Sequence, residues 1–557
     1  MRQFLILLIF FIVCSVCAQI APDKYFVEFT DKNGTPYSVE HPEQFLSARS
    51  IERRVRQSVA TTTQDLPVNP AYVSAVAGTG VTLLNRTKWF NGVTIYTTDP
   101  SALLAISALP FVKQVLKSQG YKKSKKPDDD QKFSFEKESS IPVQRNEIFS
   151  VSASRSYNYG LSYNQIHMLR GDSLHNLGYR GQGKVIAVLD AGFLNADVLP
   201  VFDSLRTNNQ ILGTRDFVLP GNNVYQEYEH GTSVLSTMGG NLPGEIIGTA
   251  PKASYWLFRT EDAGPENYIE EYNWVSGAEA ADSVGADVIN SSLGYTTFKD
   301  SPLWNHKWSD LDGHTALATK GANTAASKGI AVINSAGNDG SQPWRYIGVP
   351  ADGDSVLAIG AVDANGLYVS FSSHGLPGTK VKPNVAAQGG SAVVAGPDST
   401  IRHASGTSFS SPITAGLVAC LWQSKPDVSV SNLYNAIEMS ANHYNNPDTL
   451  TGYGIPDFST AISYLGLTEK KTQNISVYPN PFMEDIFVCC FSKEGEKVNA
   501  ALYNELGQIT FQQIYLLHSG KNLLTLNPGK YCPPGMYILI ISSKLFSTSY
   551  HMIKIGK

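Results

Sequence analysis

From residue 157 to about 467 the chain repeats one pattern, a short run that is apolar throughout followed by a helical stretch. Residues 185–189, 254–258, 288–290, 330–334 and 356–359 are such runs, and the spacing predicts a helix over about 315–328. A strand with no polar side leaves no face for water. Runs of this kind alternating with helices therefore predict an α/β fold, a parallel sheet with helices on both faces. In such sheets functional groups gather beyond the carboxyl ends of the strands.

The pattern changes on either side of this region. Residues 24–116 combine a strand at 25–29, a charged helix around 45–54 and further strands and helices, a small α+β unit in which the basic helix face is expected to be solvated. Residues 121–148 carry Lys122, Lys123, Lys125 and Lys126, then Asp128-Asp129-Asp130, with Pro127 and Pro142 and few apolar side chains. Such a stretch buries too little surface to fold and is expected to be an exposed, cleavable linker. Beyond residue 468 the period becomes two, in short alternating segments at 475–478, 498–503 and 536–541 separated by Pro479-Asn480-Pro481 and Pro533-Pro534-Gly535. That predicts a small β-sandwich.

Composition adds compartment and excludes some partners. A chain of 557 residues with 42% hydrophobic side chains has material for several domains and a large core. Its formal charge of -4 and lack of a long basic run point away from nucleic acid. Met1-Arg2, an apolar run from Phe4 to Val13, and Cys14-Ser15-Val16-Cys17-Ala18 have the layout of a secretory signal peptide cut after Ala18. The run is shorter than the ~20 residues a spanning helix needs, so no membrane span is expected. The domain boundaries predicted are 1–18 for the leader, 19–118 for the α+β unit, 119–156 for the linker, 157–467 for the α/β region and 468–557 for the sandwich. Cys420, Cys489, Cys490 and Cys532 remain after the leader, and at most one of Cys489 and Cys490 can pair with Cys532, because neighbours on a strand face opposite ways.

Chemistry concentrates in the α/β region. Asp190 follows a buried run at the turn Asp190-Ala191-Gly192. His230-Gly231-Thr232-Ser233 opens a small-residue helix. Asn338 stands in the glycine turn Asn334-Ser335-Ala336-Gly337-Asn338-Asp339-Gly340. Gly406-Thr407-Ser408 leads into a helix, with Pro412 expected within about its first turn, so Ser408 is presented at a helix start where free N–H groups can hold a developing oxyanion. Each alone has an ordinary reading as a turn residue, a cap or a surface histidine. Together they supply what acyl transfer needs: nucleophile, base, orienting anion and oxyanion donor.

The order Asp, His, Ser agrees with the subtilisin order, and with these motifs residues 157–467 resemble the subtilisin family of serine proteases. Ser292-Leu293-Gly294 resembles that family's substrate-backbone strand, and Lys382-Pro383-Asn384-Val385 its segment before the nucleophile. The resemblance implies a triad of Asp190, His230 and Ser408, an oxyanion hole of Asn338 and the Ser408 N–H, and a substrate pocket of Ser292, Leu293, Gly294, Ala336 and Gly337 with a solvated Asp339 at its rim. It implies no cofactor for catalysis. A structural calcium would fall on Asp352-Gly353-Asp354, which reads more simply as a turn. Ser233 replaces the family's usual second histidine and Phe409 its usual methionine.

The flanking regions carry resemblances of their own. Residues 24–117 resemble the ferredoxin-like propeptide that assists folding and then inhibits. Val477-Tyr478-Pro479-Asn480-Pro481 and Gly535-Met536-Tyr537-Ile538-Leu539 resemble the C-terminal sorting domain of the Bacteroidetes type IX secretion system. The expected partners are protein or peptide substrates, the protein's own propeptide and the outer-membrane secretion machinery, and the expected destination is the cell surface or medium. The alternatives are an inactive binding scaffold and a peptide ligase using the same acyl-enzyme.

Overall fold

The computed structural model of the protein describes residues 23–118, 132, 133, 135, 136, 141, 142, 157–264, 266–298, 302–468, 475–492, 495, 497–518, 520–543 and 547–556. The expected leader and most of the expected linker lie outside the described residues.

The first unit begins with a four-stranded antiparallel sheet of β1 (Lys24–Phe29), β2 (Thr82–Thr87), β3 (Gly92–Tyr96) and β4 (Val112–Lys117), in the order β2-β3-β1-β4. Two of its helices, Pro70–Ala77 and Pro100–Ser107, start with proline behind Asn69 and Asp99, whose side chains accept from Ala71 N at 2.9 Å and Ser101 N at 2.8 Å. Proline loses nothing at that position and the cap satisfies an orphan N–H. Val27, Phe29, Val73, Val76, Val93 and Ile106 close one core between sheet and helices, the ferredoxin-like arrangement.

The third helix, Ala48–Gln57, departs from expectation, because Arg53 and Arg54 are 1% and 2% exposed rather than solvated. Arg53 reaches Asp282 at 2.6 Å, Arg54 reaches Asp65 at 3.0 Å and Asp282 at 2.9 Å, and Lys88 reaches Asp282 at 2.9 Å. Asp282 lies on the helix Ile269–Val284 of the α/β region. On the same helix, Glu279 accepts from Thr87 Oγ1 and from the N–H groups of Lys88 and Trp89. A basic helix buries its charge only against fixed acids, and the acid that Arg53 and Arg54 share, Asp282, lies more than two hundred residues away in sequence.

After β5 (Ile141–Pro142), the α/β region builds a parallel sheet from β6 (Val185–Asp190), β7 (Ile211–Asp216), β10 (Ser254–Arg259), β11 (Val288–Ser291), β12 (Ala331–Ser335), β13 (Val356–Val362) and β14 (Val385–Gln388). The order is β14-β13-β12-β11-β6-β10-β7, with a hairpin of β8 (Asn241–Leu242) and β9 (Ile246–Ile247) to one side. Every residue of β6 is buried, as the unbroken apolar run requires. The expected helix is present as Leu317–Ser327 and packs with Ile269–Val284 on one face of the sheet. On the other face lie the helices His230–Gly239 and Thr407–Ser424. Val185, Ala187 and Leu189 join the core under Trp274 and Val275, so strand alternation turns Asp190 to the opposite face, toward the His230 helix. A short antiparallel hairpin, β15 (Ala392–Ala395) and β16 (Ile401–Ala404), leads to the Thr407 helix and pairs with β5.

A separate unit contains β17 (Ser476–Tyr478), β18 (Ile486–Ser492), β19 (Lys497–Tyr503), β20 (Ile509–Leu516), β21 (Gly520–Leu526), β22 (Gly535–Ser542) and β23 (Ser547–Lys554). Sheets β17-β18-β21 and β20-β19-β22-β23 share one core containing Val488, Leu502, Leu524, Leu539 and Ile541. In β22, Tyr537, Leu539 and Ile541 point inward while Met536 and Ile538 are exposed, the one-sided burial of an antiparallel sandwich. No disulfide joins Cys532 to Cys489 or Cys490. Among the described residues no helix is long and apolar enough to cross a membrane.

Candidate active site

Asp190 is the last residue of β6, and its Oδ1 lies 2.7 Å from His230 Nδ1 at the start of the His230–Gly239 helix. Gly231 makes the approach possible: a Cβ there would stand 2.3 Å from Gly192 O and 3.0 Å from Asp190 Cβ. The carboxylate also accepts from Ala191 N at 2.7 Å, which fixes it against the ring.

Ser408 is the second residue of the Thr407–Ser424 helix and is 4% exposed, with its Oγ 3.4 Å from Ser292 O. Pro412 is not in the first turn but inside the helix. It is tolerated because the Ser408 carbonyl, four residues back and deprived of its helical donor, accepts from Ser292 Oγ at 2.9 Å. The Thr407–Ser424 helix is thereby tied to the segment after β11. Asn338 lies in the turn after β12, and its Oδ1 accepts from Thr407 N at 2.9 Å and Thr407 Oγ1 at 3.0 Å. With the oxygen so engaged, Asn338 Nδ2 faces the cleft.

Both donors meet an acid from the expected linker. Glu136 Oε2 lies 2.7 Å from His230 Nε2, and Asn338 Nδ2 donates to Glu136 Oε1 at 2.8 Å. Phe133 stacks on the His230 ring with centroids 4.0 Å apart, and Phe135 packs on Phe371. The linker is therefore buried at Phe133 and Glu136, while Phe135 stays exposed. Phe133 and Glu136 are 8% and 5% exposed, because the cleft offers them an imidazole face and two hydrogen-bonding groups. The fit is close, since a Cβ on Gly406 would stand 2.5 Å from Glu136 Oε1. Burial alone would disfavour a charged imidazole at His230, but the carboxylates of Asp190 and Glu136 outweigh it and push its pKa up to about 10. In this state the ring carries a proton on each nitrogen and cannot take one from Ser408.

Among the other expected site residues, Ser292, Leu293, Gly294, Gly337 and Asp339 line the cleft beside Ser408. Ala336 does not, being wholly buried in the core behind that wall. Asp339 is half-buried rather than solvated, and burial pushes its carboxyl up to about 6. Phe409 is buried with its ring 6.3 Å from His230, and Ser233 donates to Ala395 O at 3.0 Å. Asp352 is committed to Thr319 Oγ1 at 2.6 Å and Gly313 N at 3.1 Å, and Asp354 to Lys380 at 2.8 Å. Sequence reasoning missed Lys132, Phe133 and Glu136, and also Glu261, Glu266 and Glu270, where Lys132 ends. The run Glu261-Asp262 with Glu266 and Glu270-Glu271, straight after an apolar strand, is a signal that could have found the acids.

A carboxylate-oriented histidine, a serine at a helix start and a side-chain amide facing the same cleft define a serine hydrolase on a parallel α/β sheet. Residues 181–454 match the Subtilase family, and residues 24–132 match the Peptidase S8 propeptide domain, Bacteroidota. Subtilisin E of Bacillus subtilis (strain 168) is 30% identical over 314 residues, 56% of this chain and 72% of that protein. Subtilisin of Bacillus pumilus is 30% identical over 293 residues, 52% of this chain and 93% of that protein. A crystal structure of MycP1 with the N-terminal propeptide removed aligns at 23% identity and a TM-score of 0.42, covering 54% of this chain and 96% of that one. The chain belongs to the subtilase family: it is a subtilisin-like serine endopeptidase with a zymogen propeptide, and such catalysis needs no cofactor.

Proposed function

We propose that the protein is a secreted endopeptidase that cleaves peptide bonds through a triad of Asp190, His230 and Ser408, and that its precursor is restrained by Glu136. The observation that carries this reading is that His230 Nε2 and Asn338 Nδ2 face one carboxylate in the cleft beside Ser408, as acyl transfer needs a proton-transfer group and an oxyanion donor on either side of one reacting centre. Once Glu136 leaves, His230 Nε2 releases its proton to water, and the neutral ring then takes the Ser408 proton while Asp190 holds it in place. Ser408 Oγ bonds to the substrate carbonyl carbon, and the oxyanion is met by Asn338 Nδ2 and the Ser408 N–H. The imidazolium then gives its proton to the leaving amine as the peptide bond breaks, and water hydrolyses the acyl-enzyme by the same route. Asp339 at the pocket rim contributes a modest preference for a basic residue beside the scissile bond, growing as pH rises through about 6.

The expected leader and the separate β-sandwich support export in two stages, across the inner membrane and then through the type IX machinery to the surface or medium. The α+β unit acts as folding assistant and inhibitor. Maturation then depends on Ser408, so a Ser408→Ala precursor expressed in a host without other proteases stays full-length, and normal processing of that variant would refute self-cleavage. Product masses from a peptide substrate separate hydrolysis from ligation.

A further inference from the structure

Lys132 ends among three carboxylates. Its Nζ lies 2.6 Å from Glu270 Oε2 and 3.3 Å from Glu266 Oε1, and it touches Glu261 Oε1 directly. Glu261 and Glu270 are each 1% exposed. Their carboxylates are positioned by the enzyme itself: Tyr295 OH donates to Glu261 Oε2 at 2.9 Å, Asp262 N to Glu270 Oε1 at 2.9 Å and Asn267 N to Glu270 Oε2 at 2.7 Å. An ammonium group has three donors, and here it meets three acids. Burial pushes the Glu266 carboxyl up to about 8 against the pull of Lys132, so the pocket without a cation is strained for charge.

The glutamates belong to the enzyme region, on the segment after β10 and the helix Ile269–Val284, whereas Lys132 is the last residue of the propeptide match. The pocket opens into the cleft that holds Ser292, Gly294 and Ser408. From Lys132 to Glu136 the chain runs from the glutamates to the catalytic histidine.

We propose that Glu261, Glu266 and Glu270 form a selectivity pocket for a lysine or arginine of the substrate, on the amino-terminal side of the bond to be cut, and that Lys132 fills it in the precursor. The inference rests on the endopeptidase reading. A buried acid cluster gains a matching cation and rejects an apolar or acidic side chain, because either leaves the carboxylates unpaired.

The test uses the mature enzyme and fluorogenic peptides that differ at a single position, with lysine, norleucine or glutamate moved one residue at a time along the amino-terminal side of the scissile bond. At one position, separate from the residue beside the bond, lysine should raise kcat/KM at least about 10-fold over norleucine, with glutamate poorest. Glu266→Gln and Glu261→Gln should each lower that lysine-to-norleucine ratio. Equal cleavage of the lysine and norleucine peptides at every such position would overturn the pocket and leave the endopeptidase standing. So would an unchanged ratio in both variants while they still cleave the norleucine peptide. Failure to cleave any peptide or denatured casein would overturn both readings.

Discussion

At the residue scale, the proposed catalytic groups act as a unit. Ser408→Ala and His230→Ala should each cut turnover by several orders of magnitude with the fold intact, as circular dichroism would check. Asp190→Asn should cost about 10⁴ through the wrong imidazole tautomer, and Asn338→Ala about 10²–10³, the range such a donor carries in subtilisins. Glu136 gives a pH prediction. The His230 pKa in the precursor is raised, so the ion pairs that lock the ring are fully present below its ordinary 6.5 and are lost as pH rises through about 10. Self-processing should therefore quicken from pH 7 toward 10. Glu136→Gln removes one of the two locking carboxylates and should speed processing at pH 7 by about tenfold or more, with the profile moved to lower pH. Processing rates identical to wild type across that range would show that Glu136 does not restrain the site. The proposed triad residues stand out in the sequence because each ends a strand or opens a helix, in an order that resembles the subtilisins. Glu136 and Lys132 do not, because a polar charged stretch has no period to read and the groups that bury them lie elsewhere in the chain.

At the element scale, the helix Ile269–Val284 joins the two halves of the precursor. Asp282 on this helix is buried with Arg53, Arg54 and Lys88 around it. Burial works against its charge, but Lys88, Arg53 and Arg54 outweigh that and hold its carboxyl down at about 2. This contribution is present above the ordinary value of 3.8 and is lost as pH falls through about 2. Asp282→Asn should destabilise the Ser408→Ala precursor by about 3–5 kcal/mol in urea unfolding, because three buried cations lose a shared partner. A change under 1 kcal/mol would contradict that role. The strands read from sequence were those with unbroken apolar runs, such as β6 and β13, both wholly buried. β7 was missed because an edge strand alternates and carries Gly213 and Arg215. β14 was missed because Val-Ala-Ala-Gln is too short and small to stand out. The burial of the basic helix is hidden for a related reason: amphipathic charge looks the same in sequence whether it faces water or a distant acid.

At the scale of the whole molecule, the β-sandwich has its own core and the proposed chemistry lies upstream of it. Deleting residues 470–557 in the native host should leave the catalytic region folded and active, measured by specific activity, while enzyme accumulates in the periplasm. Unchanged extracellular activity would make the sandwich a stabilising or binding module instead. Fluorophosphonate labelling of the matured enzyme, with the modified residue mapped by mass spectrometry, tests the assignment of Ser408 most directly. One modification is expected, at Ser408, that abolishes peptide cleavage, with much slower labelling in a precursor that retains Glu136. Modification at another serine, or undiminished cleavage by Ser408→Ala, would contradict that assignment.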